Sequence, residues 1–184
     1  MTQYNLPWLL EKIQMGKTPK FLFFWGHQPG KDGQITASCF SQWWESSPFV
    51  VEGITYTSAE HWMMAQKALL FDDQASFDKI LVAKTPAKAK NLGRKVQNFD
   101  LELWKEKCFD VVMAGNVHKF GQDPDLKTFL LNTQDRVLVE ASPLDPIWGI
   151  GLAANDPKAQ NPEQWEGLNL LGFALMAARD ILRQ

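Results

Sequence analysis

Cysteine is scarce in this 184-residue chain: Cys39 and Cys108 are the only two, far apart and outside any paired motif. Two free thiols suit a reducing compartment, so a cytoplasmic location is expected. Long apolar runs are missing too, and no stretch reaches membrane-spanning length. The N-terminal Met1–Gly16 segment is amphipathic and carries Glu11 and Lys12, with Lys17 just beyond, which is wrong for a signal peptide. Basic residues form no long run and the net charge is -2, which argues against a general nucleic-acid binder. No Gly-x-Gly-x-x-Gly or Walker-type loop is found, so a standard nucleotide cradle is absent. Histidine is sparse: His27, His61 and His118 are scattered, and Glu60-His61 is not the His-Glu-x-x-His of zinc proteases. Metal binding is therefore weakly supported. With no internal repeat, low-complexity tract or linker, residues 1–184 read as one domain.

Aromatic residues, in contrast, are plentiful. Eight Trp and twelve Phe can fill a core, and they can also line a pocket for a ring-shaped ligand. The stretch Thr57 to Leu70 reads as a helix with a chemical face. Thr57 or Ser58 can cap it, and Thr57 with Glu60 fits capping-box spacing. Glu60 and Lys67 project from nearly the same face, about 10 Å apart along the axis, with Met63 and Met64 between them. A carboxylate and an amine so placed could grip a sugar-sized group. On the plainer reading Glu60 only serves the cap, and Lys67 reaches out to water.

Along the chain, Asn5 or Thr2 can start a helix through Leu6, Leu9, Leu10 and Ile13, closed by Gly16. Phe21–Trp25 reads as a buried strand, and His27–Gly33 as an exposed hairpin connection. Phe49–Val51 and Ile54–Tyr56 flank Glu52-Gly53, a hairpin signal. Helices are expected over 75–83, from Pro86 to Leu92, from Leu101 to about Phe120 under an Asp100 cap, and over 124–132 under Asp123. Arg136–Glu140 reads as a strand, 143–151 as an irregular loop, and Trp165–Leu182 as an apolar helix. The fold class is α+β, predominantly helical with a small antiparallel sheet.

Asp145 stands between Pro143 and Pro146 in a stiff loop that ends in Trp148-Gly149-Ile150-Gly151. It can cap its own turn, or it can be a rigid carboxylate beside an indole, with glycines that let backbone approach a ligand. Trp104 in a helix is more often core than site. Asn169 inside an apolar helix needs partners, which a ligand can provide.

Taken together, Glu60-His61 through Gln66-Lys67, Gly93-Arg94, Trp104, Lys119-Phe120, Glu140-Ala141-Ser142, Asp145-x-x-Trp148-Gly149-Ile150-Gly151 and Asn169-Leu170-Leu171-Gly172 resemble the YbiA-like, or NADAR, family over about residues 21–182. Residues 1–20 then form a helical extension. The resemblance implies an N-glycosidase that cleaves a ribose C1–N bond and needs no metal or redox cofactor, with two substrate branches. One is phosphoribosylamino-pyrimidine intermediates of riboflavin biosynthesis; the other is ADP-ribose on guanine, including ADP-ribosylated nucleic acid. It implies Glu60, Trp104 and Asp145 as functional residues, with Lys67 as the family's helix lysine, a phosphate ligand or a Schiff-base amine. Phe40, Ser41, Trp148, Gly149 and Asn169 are the implied substrate contacts. Phe40-Ser41-Gln42 departs from the family's usual Phe-Ser-Asn. The rival class is a non-catalytic binder of ADP-ribose or related nucleotide sugars.

Overall fold

In the computed structural model, which describes residues 4–184, most helices begin where the sequence supplies a cap. Asn5 opens α1 (Leu6–Gln14), its side-chain oxygen accepting from the Trp8 amide at 2.8 Å. The alternative start, Thr2, lies outside the described residues. Ser58 caps α2 (Ala59–Leu70) and Asp73 caps α3 (Gln74–Leu81). Thr85 caps α4 (Pro86–Gly93), Asp100 caps α5 (Leu101–Gln122) and Asp123 caps α6 (Pro124–Leu131). Each cap contributes about 1 kcal/mol and fixes where its helix starts. Ser58, rather than Thr57, is the cap of α2, so Glu60 is not the acid of a capping box. Thr57 pairs with His61 Nδ1 at 3.1 Å, and the Glu60 amide donates to the Gln42 carbonyl at 2.9 Å.

Strands β2 (Phe49–Val51) and β3 (Ile54–Tyr56) form the expected antiparallel hairpin. Glu52 and Gly53 have φ of 51° and 80°, the left-handed pair that a tight hairpin turn requires. A second pair is parallel: β1 (Phe21–Phe24) lies beside β4 (Val137–Glu140), with Phe24 opposite Glu140. Val137, Leu138 and Val139 are all buried, as suits a strand covered on both faces. Because the partner of β1 lies beyond helices α2–α6, His27–Gly33 is not a hairpin connection. It is a loop holding one 3₁₀ turn at Lys31–Gly33.

The last helix starts later than its apolar composition suggests. Trp165–Leu168 is irregular, and α7 (Leu170–Arg183) begins only after Asn169, whose φ of 54° is left-handed and cannot extend a right-handed helix. Asn169 therefore stands at the N-cap position rather than inside the helix, and its side chain makes no capping bond. Its amide clamps β4, Nδ2 donating to the Leu138 carbonyl and Oδ1 accepting from the Glu140 amide, both at 2.9 Å. Helix α7 packs against α5 and β4, while α2 is surrounded by α3, α4 and α5. Phe40, Val112, Phe120, Leu138 and Phe173 are fully buried in one continuous core. The fold is α+β and mainly helical. Among the described residues no helix is long and apolar enough to cross a membrane.

Candidate active site

A cavity of about 480 Å³ opens beyond the C-terminal ends of β1 and β4. Crevices at the carboxyl ends of parallel strands are where ligands commonly bind, because the chain must leave both strands there in loops. Strand β1 leads into Trp25 and His27, and β4 ends at Glu140. The opposite wall carries Gln42 and Trp43, and helix α2 supplies Glu60. Lys90 comes from α4, with Asp145 and Trp148 from the Pro-rich loop.

Glu60 is only 4% exposed, and burial pushes its carboxyl up to about 7. The charges of Lys90 and Arg94 and a hydrogen bond from Trp43 pull the other way, while Asp145 adds to the rise. Glu140 faces a harsher environment. Burial, then the charges of Asp145 and Glu60, raise it to about 8, opposed only by Lys90. Its Oε2 is buried without a hydrogen-bond partner. Asp145 does two things at once. Its Oδ1 accepts from the Ile147 and Trp148 amides at 3.0 and 2.8 Å, capping the turn, while the residue also lines the cavity. Gly149 makes that turn possible, since a Cβ there would lie 2.9 Å from the carbonyl oxygens of both Asp145 and Glu140.

The Gln42–Trp43 wall is held from behind. Lys119, fully buried on α5, donates to the carbonyls of Cys39 and Ser41 at 2.6 and 2.9 Å, and burial pulls its ammonium down to about 7. Gln42 Oε1 accepts from Asn116 Nδ2 at 3.2 Å, leaving Nε2 buried beside the cavity with no partner.

Of the residues singled out in the sequence, Glu60, Asp145, Ser41 and Trp148 line the cavity. Phe40 does not; it is wholly buried against Phe24, Phe120 and Phe129. Gly149 and Asn169 support the cavity from outside it, through the turn and the β4 clamp. Lys67 and Trp104 are also elsewhere. Lys67 Nζ donates to the Gly93 carbonyl at 3.0 Å and sits 4.1 Å from the Phe99 ring centroid and 5.5 Å from that of Trp104. Burial lowers its pKa. His61 is tied by Ser58 at Nδ1 and by the Ala83 carbonyl at Nε2. Among the described residues no group of three or more His, Cys, Asp or Glu side chains is placed to hold a metal ion. Lys90, Trp43 and Glu140 also line the cavity, though sequence reasoning assigned them no role; for Glu140 the signals are its place at the end of an apolar strand and in the Glu140-Ala141-Ser142 motif.

The NADAR domain family model matches residues 23–183, and the chain belongs to that family. N-glycosidase R617 of Acanthamoeba polyphaga mimivirus is 43% identical over 168 residues, covering 89% of this chain and 97% of the viral protein. The chloroplastic riboflavin biosynthesis protein PYRR of Zea mays is 36% identical over 132 residues, covering 68% of this chain but only 19% of the maize protein. The NMR structure of the Escherichia coli protein YbiA superposes with a TM-score of 0.70 at 26% identity, covering 91% of this chain and 87% of that one. By family and by fold, the chain groups with the N-glycosidases.

Proposed function

We propose that the protein hydrolyses the bond between ribose C1 and the nitrogen of a phosphoribosylamino-pyrimidine in the cytoplasm. The observation that carries this reading is the meeting of Glu60 and Asp145, from separate elements, in one aromatic cavity beside the cation Lys90. Breaking a C1–N bond develops positive charge on the sugar, and a fixed carboxylate nearby stabilises it. Asp145 has this role: one oxygen is locked by two backbone amides, which orients the other. Glu60, buried and poised near neutrality, takes the proton from the attacking water. Trp148 and Trp43 offer ring faces for base and ribose, and Lys90 meets the 5′-phosphate. The cavity volume suits a ligand of this size. The riboflavin role named for the maize relative supports the pyrimidine branch.

Lys67 and Trp104 act through α4 in this reading. The bond from Lys67 to the Gly93 carbonyl holds the end of α4 against α2, which keeps Lys90 and Arg94 near Glu60. One observation favours the second branch, guanine-linked ADP-ribose, free or on a nucleic-acid end. Trp25, 59% exposed at the cavity mouth, offers a platform for a second base.

The test is release of free base and ribose 5-phosphate from a phosphoribosylamino-pyrimidine, and of guanine from guanine-linked ADP-ribose, by wild type and Glu60→Gln. Pyrimidine product from wild type, reduced about 10³-fold in the variant, is expected. Guanine product alone moves the assignment to the second branch. Binding without product from either substrate makes the protein a nucleotide-sugar binder.

A further inference from the structure

Departure of an amino-pyrimidine requires a proton on the leaving nitrogen, and neither Glu60 nor Asp145, in the roles given above, supplies it. We propose that Glu140 is a third catalytic residue of this cavity, the acid that delivers that proton. The inference rests on the glycosidase reading and adds a residue to it.

Three observations place Glu140 there. It is the last residue of β4, so its side chain emerges at the floor of the cavity, where the parallel pair ends. Its backbone is fixed on both sides: its amide donates to Asn169 Oδ1 and its carbonyl accepts from the Ile150 amide, both at 2.9 Å. Its Oε2 is buried and has no partner within the protein. A buried carboxyl oxygen without a donor is costly as an anion, and protonation removes that cost and gives this cavity-lining residue an O–H donor.

The charges around it act in the same direction. Asp145 from the Pro-rich loop and Glu60 from α2 are negative and disfavour ionisation of Glu140, while Lys90 from α4 is the one cation opposing them. Glu60 differs, because Trp43 donates to it and both Lys90 and Arg94 favour its anion. The anion thus has more support at Glu60 than at Glu140, and unlike surroundings of this kind are what separate acid and base roles in a carboxyl pair. The wall adds a second unmet group. Gln42, 6% exposed, lines the same cavity and has a buried Nε2 with no partner in the protein.

In the step itself the C1–N bond breaks and its electron pair passes to the nitrogen. That nitrogen takes the proton from Glu140, leaving a carboxylate. Water adds to C1 and yields its proton to Glu60, after which proton exchange with solvent restores both groups.

The experiment compares wild type with Glu140→Gln on two probes, a phosphoribosylamino-pyrimidine and 4-nitrophenyl ribofuranoside 5-phosphate, whose phenolate leaves without protonation. The expected result is an about 100-fold lower kcat on the N-riboside with KM little changed, loss of the basic limb of the kcat–pH profile, and retained turnover of the nitrophenyl probe. Unchanged kcat with an intact basic limb overturns the proposal, as does an equal loss on both probes. If the nitrophenyl probe is not a substrate, the basic limb alone decides. Should Glu140→Gln fail to fold, Glu140→Asp takes its place; a reduced kcat with the basic limb kept supports the assignment, and equal loss on both probes overturns it. A wild type that releases no base from any N-riboside fails the glycosidase reading itself, a result distinct from any change confined to the Glu140 variants.

Discussion

The two ends of helix α2 each carry a charged side chain, a carboxylate and an amine, and the two have opposite fates. Glu60 and Lys67 lie on one stripe, two turns apart. Glu60 opens onto the cavity, whereas Lys67 is covered by Phe99 and Trp104 and has its ammonium bonded to the Gly93 carbonyl. Met64 and Gly93 make the partition between them, packed so closely that a Cβ on Gly93 would sit 2.0 Å from Met64 Sδ. A shared helical face does not make a shared site when a neighbouring helix closes over part of it.

The comparison breaks if the Lys67 end proves to do the chemistry, and the largest effects test this first. Asp145→Asn is expected to lower kcat by about 10²–10³-fold, measured as base release under saturating substrate. Lys67→Met is expected to lower it by about tenfold, together with the melting temperature, because it releases α4 rather than a reacting group; Lys67→Arg, which keeps a donor for the carbonyl, recovers part of both. Borohydride added during turnover should leave no adduct on the Lys67 peptide by mass spectrometry. A trapped ribosyl group there would overturn the division of the helix.

Smaller effects sharpen the contrast. Gly93→Ala overfills the partition and should cost about 1–3 kcal/mol in denaturant unfolding. The cavity end also stores a pH dependence. Glu60 and Glu140 have folded-state values raised from 4.5 to about 7 and about 8, so their contribution is fully present below about 4.5. It is lost as pH rises through the window between those values, because the unfolded chain ionises first. Glu60→Gln should therefore raise the melting temperature at pH 8 by about 2–4 °C per kcal/mol recovered, and change it much less at pH 5.

Much of the helical frame could be read from the sequence because its signals are local. Asp100 and Asp123 announce their helices by residue type, and Pro86 and Pro124 fall at first helical positions. The β2–β3 hairpin was legible for the same reason. The β1–β4 pair was not, since nothing in four apolar residues names a partner beyond five helices. The start of α7 was misplaced because Trp165 and Leu168 are as apolar as the helix they precede; the left-handed Asn169 decides the boundary. In the site, Glu60 and Asp145 stood out by their surroundings in sequence. Lys90 is one of two lysines in a polar helix, and Glu140 gains its character only when Glu60, Asp145 and Lys90 converge on it in space.

The parallel strand pair has a consequence for how the molecule comes into being. A ribosome delivers β1 early and β4 only after α6, so the floor of the cavity cannot close while the chain is still short. Even then β4 lacks its clamp until Asn169 emerges, and Leu171, which lines the cavity, follows it. Contacts between such distant segments are slow to form. A chain that stops before Asn169 thus carries every lining residue but Leu171, with a strand, β4, that nothing yet clamps.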